Sequence, residues 1–251
     1  MHNLKNIFFI HLFFSFMSYI THTVRIWLAG ALLLGAAVPA LAIVVFNDDF
    51  SSYSAGSCLP DGTAFGPWTV VFAGFGCVKI ESDGANQWLH AVPKVPNGGN
   101  THSSLVVGPS FSSFIASSTF TYDLNVHTVS QNRTGRKAPR PWEVGWVVWH
   151  YTDNDHFYYF IPKTNGWELG KRDPAYTGGQ RFLATGTSPK FPIGVPYAVR
   201  ITQDAANTMT ASVNGQLLTT FTDMERPYTA GKIGAYTEDA HVHFDDVVVN
   251  Q

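Results

Sequence analysis

Apolar and polar residues alternate with a period of two over much of this chain. Phe120, Tyr122, Leu124 and Val126 are apolar, and Thr121, Asp123 and Asn125 between them are polar. Tyr197, Val199 and Ile201 alternate with Ala198, Arg200 and Thr202, and Met209, Ala211 and Val213 with Thr208, Thr210 and Ser212. Successive side chains of a strand point to opposite faces, so this pattern predicts strands with one buried face. Asn214-Gly215 joins two such runs directly and predicts a type I′ hairpin. Further short runs are expected at Ile43–Phe46, Trp68–Phe72, Val78–Glu81, Gln87–Val92, Leu105–Val107, Arg181–Ala184, Gln216–Thr222, Lys232–Tyr236 and His241–Val249. About fifteen short strands result, with no helical period after Ala42. Many evenly spaced antiparallel strands in one stretch predict an all-β fold of two packed sheets, a sandwich or jelly roll.

Residues 1–42 read differently. An apolar core from Ile26 to Ala42 follows Arg25 and ends in Ala40-Leu41-Ala42, a small-x-small cleavage pattern. A secretory signal is expected there, with Ile43 as the mature N-terminus and residues 43–251 as a single jelly-roll domain. A second apolar run, Phe8 to Ile20, suggests an annotated start too far upstream, with Val24 as initiator if its codon is GTG. An uncleaved anchor is the alternative, although each run is short of the roughly 20 residues of a span. No stable membrane insertion is expected once the leader is removed, and the protein is expected outside the cell or in the periplasm.

Composition supports strands: charged residues are 14%, aromatics 14%, and glycine and proline total 36. A net charge of −2, with no basic run beyond the loop Arg133–Arg140, argues against nucleic acid as a partner. The two cysteines, Cys58 and Cys77, flank a turn-rich segment. An exported chain is expected to join them in a disulfide, and two buried free thiols are the alternative.

Chemistry concentrates between Pro141 and Asp173, which holds four of the seven tryptophans. Turn signals at Thr152–Asp155 and Lys163–Gly166 divide it into a three-stranded meander. A four-residue turn at Thr152–Asp155 would pair His150 with Phe157 and Tyr151 with His156. One face then gathers Trp146, His150, Tyr159, Lys163, Glu168 and Arg172. The other, with Val147, Trp149, Tyr158, Phe160 and Leu169, would be core. The first mix suits a sugar: aromatic rings stack on C–H surfaces, and charged groups hydrogen-bond hydroxyls. Trp146, Tyr159, Lys163 and Arg172 are therefore candidate substrate-binding residues, and Glu168 and His150 candidate catalytic ones. A register slip of one residue would exchange the faces and bring Glu143 and Trp149 to the site. Glu168 and Arg172 paired on the surface is the plainer reading.

The chain's ends resemble those of the concanavalin A-like lectin/glucanase superfamily: Asn47-Asp48-Asp49-Phe50 at the start, and GKIGAYTEDAHVHFDDVVV from Gly231 to Val249 at the close. The hairpin Gly145–Trp149 and Asp155–Tyr159 is also similar to that superfamily's. The resemblance spans about Phe46 to Val249. It implies a jelly-roll sandwich whose first and last strands are neighbours. Gly166-Trp167-Glu168-Leu169 looks like the "G-φ-E-φ" strand of the 3-keto-disaccharide hydrolase-like group, which overlaps with family-66-type carbohydrate-binding modules. That group often has an arginine one strand earlier, where this chain has Trp149-His150. The resemblance also implies a structural Ca²⁺ held by Asp49 and Asp245, near Asp48 and Asp246. A turn anchored by aspartate hydrogen bonds is the alternative, and no other cofactor is expected.

Two enzyme signatures of that fold are missing. Glu143 is followed by Val144 and Gly145, not by the paired carboxylates of the laminarinase type. Retaining hydrolysis needs carboxyls about 5–5.5 Å apart. The alginate-lyase triplet is unmatched, apart from a loose likeness at Tyr159–Lys163. The expectation is a secreted protein recognising a poly- or oligosaccharide. A glycoside hydrolase or polysaccharide lyase using the same face is the first alternative, and a structural surface protein using the sandwich as scaffold the second.

Overall fold

The computed structural model describes residues 42–96, 99–113, 119–133 and 138–251. The leader expected at 1–42 lies outside these, apart from Ala42. Sixteen strands run through the described residues: β1 (Val44–Asp48), β2 (Ala64–Phe65), β3 (Trp68–Phe72), β4 (Cys77–Ser82), β5 (Gln87–Val92), β6 (Ser103–Ser112), β7 (Phe120–Gln131), β8 (Gly145–Asp153), β9 (His156–Lys163), β10 (Gly166–Arg172), β11 (Gln180–Gly186), β12 (Pro196–Gln203), β13 (Thr208–Val213), β14 (Gln216–Thr222), β15 (Ala230–Glu238) and β16 (Ala240–Asn250). Among the described residues no helix is long and apolar enough to cross a membrane.

The strands form two antiparallel sheets. The first runs β14-β13-β12-β7-β16-β5-β4, with β1 also on β16. The second runs β11-β10-β9-β8-β15-β6-β3-β2. The ends of the chain meet as expected: Asn47 pairs with Val248 and Asp48 with Val247. Between the sheets lies one core. Leu89, Leu124, Val126, Val242 and Phe244 enter it from the first sheet, and Val147, Trp149, Tyr158, Phe160 and Leu169 from the second. Period-two alternation puts these residues inside, and the residues between them outside. This is the expected jelly-roll sandwich.

The meander is buried on both faces. Thr164-Asn165 turns tightly, pairing Gly166 with Lys163 and Glu168 with Ile161. Trp149 pairs with Tyr158 and Val148 with Tyr159, which is the expected register. The turn before β9 is shorter than expected, because Asp153 pairs with His156 and the chain bulges between Trp149 and Asp153. His150 sits in that bulge with a positive φ of 50°. The bulge reverses the alternation for two residues. His150 points into the core, against Phe120 and Tyr158, and Tyr151 points outward onto Phe157.

The alternative register is not the one found. Trp149 is fully buried in the core. Glu143 is buried against Arg133, whose Nε donates to Glu143 Oε1 at 2.7 Å. Arg133 also reaches Asp239, so it belongs to a buried ion network and not to an exposed basic loop. Cys58 and Cys77 form the expected disulfide, with a sequence separation of 19.

Candidate functional site

On the outer face of the second sheet lies a satellite apolar cluster: Leu105, Val107, Val144, Trp146, Val148, Tyr151, Phe157, Tyr159 and Ile161. Trp146 packs on Tyr159 (centroids 5.0 Å apart) and on Tyr236 (4.9 Å). Its indole N–H donates to the Trp142 carbonyl at 2.8 Å. Polar groups surround this floor. Lys163 Nζ donates to Glu168 Oε2 at 2.8 Å, and the Tyr159 hydroxyl donates to Glu168 Oε1 at 3.1 Å. Gln180 Nε2 donates to the Tyr159 hydroxyl at 2.6 Å. Burial and the Glu168 charge push the Tyr159 phenol well above its ordinary value, so it stays a neutral hydroxyl.

A cavity of about 300 Å³ opens here, with Trp142, Trp146, Lys163, Glu168, Gln180, Phe182 and Glu238 in its lining. That volume is at the lower end of the roughly 300–1,000 Å³ usual for small-molecule sites. Trp142 is 37% exposed and Phe182 60%, so two aromatic side chains stand at its mouth. A second cavity, of about 200 Å³, shares Trp146, Gln180 and Glu238 with the first and adds Arg172, Phe157 and Tyr236. The two adjoin through these shared residues. Arg172 is tied to Asp155 at 3.2 Å and to the Gly178 carbonyl at 3.3 Å.

Trp146, Tyr159, Lys163, Glu168 and Arg172 are therefore brought to one face, as the meander's alternation predicts. His150 is not. It lies on the far side of the sheet, 1% exposed, and neither ring nitrogen has a hydrogen-bond partner. Burial depresses its pKa from 6.5 to about 3. An imidazole with no path to solvent cannot exchange protons with a bound ligand, so its expected catalytic role is withdrawn. Gln180 and Phe182, from the neighbouring β11, and Tyr236 and Glu238, from the distant β15, complete the depression. Tyr236 donates to Glu238 Oε1 at 2.7 Å. Burial, reinforced by the charges of Asp239 and Glu143, raises the Glu238 carboxyl above its ordinary value. Only the alternation Tyr236-x-Glu238 on a core strand hints at them in sequence.

The terminal aspartates anchor turns. Asp48 accepts from the Phe50 amide at 2.8 Å, the Tyr53 hydroxyl at 2.5 Å and the Trp68 indole at 2.8 Å. Asp49 accepts from the amide and hydroxyl of Ser51. Asp245 accepts from Asn86 Nδ2 at 2.7 Å and from the Asp246 amide at 2.8 Å. Burial, with the like charges of Asp246 and Asp49, raises Asp245. Donors within the chain engage these carboxylates, as turn anchors do. Among the described residues, the side chains that do converge as a metal-ligand set are Glu81, His90, His241 and His243, on the outer face of the first sheet. Sequence reading passed over them, although His241-x-His243 on a strand necessarily puts both rings on one face.

No protein-family model matches the chain, and no curated protein sequence does. Solved structures share its fold. The carbohydrate-binding module CBM66 from Bacillus subtilis superposes with a TM-score of 0.51 at 13% identity, covering 76% of this chain and 100% of that one. A Bacillus subtilis protein of unknown function with a galectin-like fold gives 0.46 at 14% identity, covering 79% and 98%. A GlcNAcα1-4Gal-releasing endo-β-galactosidase from Clostridium perfringens gives 0.47 at 10%, covering 84% and 63%. The chain thus shares the two-sheet β-sandwich fold of the CBM66 module. The likeness is one of fold, as such sandwiches carry many activities.

Proposed function

We propose that this is a secreted carbohydrate-recognising protein that binds an oligo- or polysaccharide along the outer face of the second sheet. One observation carries the reading: Trp142, Trp146 and Phe182 wall a cavity whose interior presents Glu168, Lys163, Gln180 and Glu238. Aromatic faces take up the C–H surface of a pyranose, and the fixed carboxylate, ammonium and amide select its hydroxyls. The two adjoining cavities suit more than one sugar unit. The fold shared with a carbohydrate-binding module supports the reading, and the Cys58–Cys77 disulfide suits an oxidising compartment.

A glycan array followed by calorimetry tests this. Trp142→Ala should weaken binding about tenfold, the equivalent of roughly 1.4 kcal/mol. Glu168→Gln should weaken it further, because Lys163 loses its charged partner. Trp88→Ala, on the opposite sheet, should change nothing. Unaltered binding by both Trp142→Ala and Glu168→Gln would remove the site from consideration.

A second reading, a glycan-degrading enzyme on the same face, rests on one further feature. Two carboxyls line a single cavity in different surroundings: Glu168 beside an ammonium, and Glu238 buried with its pKa raised. A carboxyl with a raised pKa beside one held by an ammonium is the division of surroundings that acid catalysis of glycoside cleavage uses. Glu238→Gln should then lower turnover about 10²–10⁴-fold while binding persists. No cleavage of any glycan the protein binds would eliminate this reading and leave the first standing.

A further inference from the structure

We propose that Glu81, His90, His241 and His243 bind a single divalent transition-metal ion of the zinc class, independently of the sugar site. The four residues come from three adjacent strands. His90 pairs directly with His243 across β5 and β16, and with Lys79 across β4 and β5. His241 lies two residues from His243 on the same face. Glu81 reaches in from one step along β4. The ligand atoms all lie within 4.8 Å of one another.

The distances fit a small coordination sphere. His90 Nδ1 is 2.7 Å from Glu81 Oε2, His243 Nε2 is 3.2 Å from that oxygen, and the Nε2 atoms of His241 and His243 are 2.9 Å apart. Bonds of about 2.0–2.1 Å at a tetrahedral centre put donors roughly 3.3 Å apart. The three close pairs therefore need to open by a few tenths of an ångström, and the widest, up to 4.8 Å apart, to close by about 1.5 Å, which rotation of the side chains allows. Hydrogen bonding does not account for it as well. His90 is 8% exposed, and its Nδ1, though close to Glu81, has no aligned hydrogen-bond partner. Two imidazole nitrogens, of His90 and His243, converge on one carboxylate oxygen, the third, of His241, lies against His243, and an ion at their centre would satisfy all four together.

The surroundings resemble a supporting shell. Lys79 Nζ holds the other Glu81 oxygen, Oε1, at 3.0 Å, leaving Oε2 to face the histidines. Trp88 stacks on His243 with centroids 4.7 Å apart and planes at 29°. His127 meets the same ring edge-on at 5.8 Å. Such contacts fix ligand orientation in metal sites. Three imidazoles and one carboxylate favour zinc, cobalt, nickel or copper over the hard ions calcium and magnesium. With four protein ligands the site is closed, so its role is structural: it fastens β4, β5 and β16 together on the face away from the sugar cavity.

The test is titration of the untagged full chain with ZnCl₂, CaCl₂ and CoCl₂. Expected are one equivalent of zinc reversed by EDTA, a raised Tm with zinc and none with calcium, and the intense visible bands of four-coordinate cobalt. His243→Gln should abolish all three, while His127→Gln, outside the donor set, should keep them. Lys79→Ala should weaken zinc about tenfold or more. The proposal is overturned if zinc does not saturate at one equivalent, or if His243→Gln binds as the unaltered chain does. Should His243→Gln not fold, the cobalt spectrum of the unaltered chain decides: six-coordinate bands, or none, overturn it.

Discussion

Gly170 shows how closely the sugar face depends on single residues. It lies opposite Tyr159 on the neighbouring strand. A Cβ there would collide with the Tyr159 phenol and come within 2.8 Å of the Arg181 carbonyl. Tyr159 is fully buried and holds Glu168 and Gln180, so it has nowhere to retreat. Gly170→Ala is predicted to destabilise the fold by about 1–3 kcal/mol, as overpacking does, and to weaken glycan binding by displacing the hydroxyl from Glu168. Denaturant melts and calorimetry measure the two effects; binding and stability both unchanged would contradict this account of Tyr159. Alternation along the sequence puts Gly170 on the face of Glu168 and Arg172 but does not give its reason for being glycine, which is a side chain on another strand.

At the level of elements, the meander shows where strand logic holds and where it breaks. Lys163, Glu168, Tyr159 and Trp146 share a face because Thr164-Asn165 forms a two-residue turn and alternation does the rest. His150 escapes that logic. The bulge that turns it inward lies beside an irregularity in β15, between Lys232 and Gly234, where β8 and β6 both shift register. Gly231 there approaches so closely that a Cβ would strike the His150 backbone. A bulge shared by three strands has no local signal. The disulfide is also an element-scale feature, tying the loop after β1 to the start of β4. Cys58→Ser with Cys77→Ser is predicted to cost about 3 kcal/mol in the chain-entropy model. Denaturant midpoints of the variant against the oxidised protein measure it, and equal midpoints would show that the bridge constrains nothing.

For the whole molecule, the buried His150 links stability to pH. Its pKa is 6.5 when exposed and about 3 in the fold, lowered by burial. The unfolded chain thus takes up a proton below pH 6.5 that the folded chain refuses. This contribution to stability is complete above pH 6.5. It is lost as pH falls toward 3, by about 1.4 kcal/mol per pH unit from this residue. Urea titrations from pH 7 to pH 4 should show that slope, and His150→Asn, which tolerates a positive φ, should flatten it. An unchanged slope in His150→Asn would assign the acid sensitivity to other groups.

The sequence by itself determined the all-β class, the two-sheet sandwich, the pairing of the first and last strands, the disulfide and which meander residues share the outer face. Each rests on short-range rules: period two, tight turns, and a few residues at the chain ends. Only the tertiary structure decided which side chains complete a site. It brought Tyr236 and Glu238 beside Glu168 from a strand far away in sequence, set Gln180 of the next strand with them, and sent His150 into the core. It also set Glu81, His90 and His243 in register across three strands. The physical reason is that neighbours across a sheet are chosen by strand order and bulges, and these are fixed by packing of the whole sandwich rather than by local sequence.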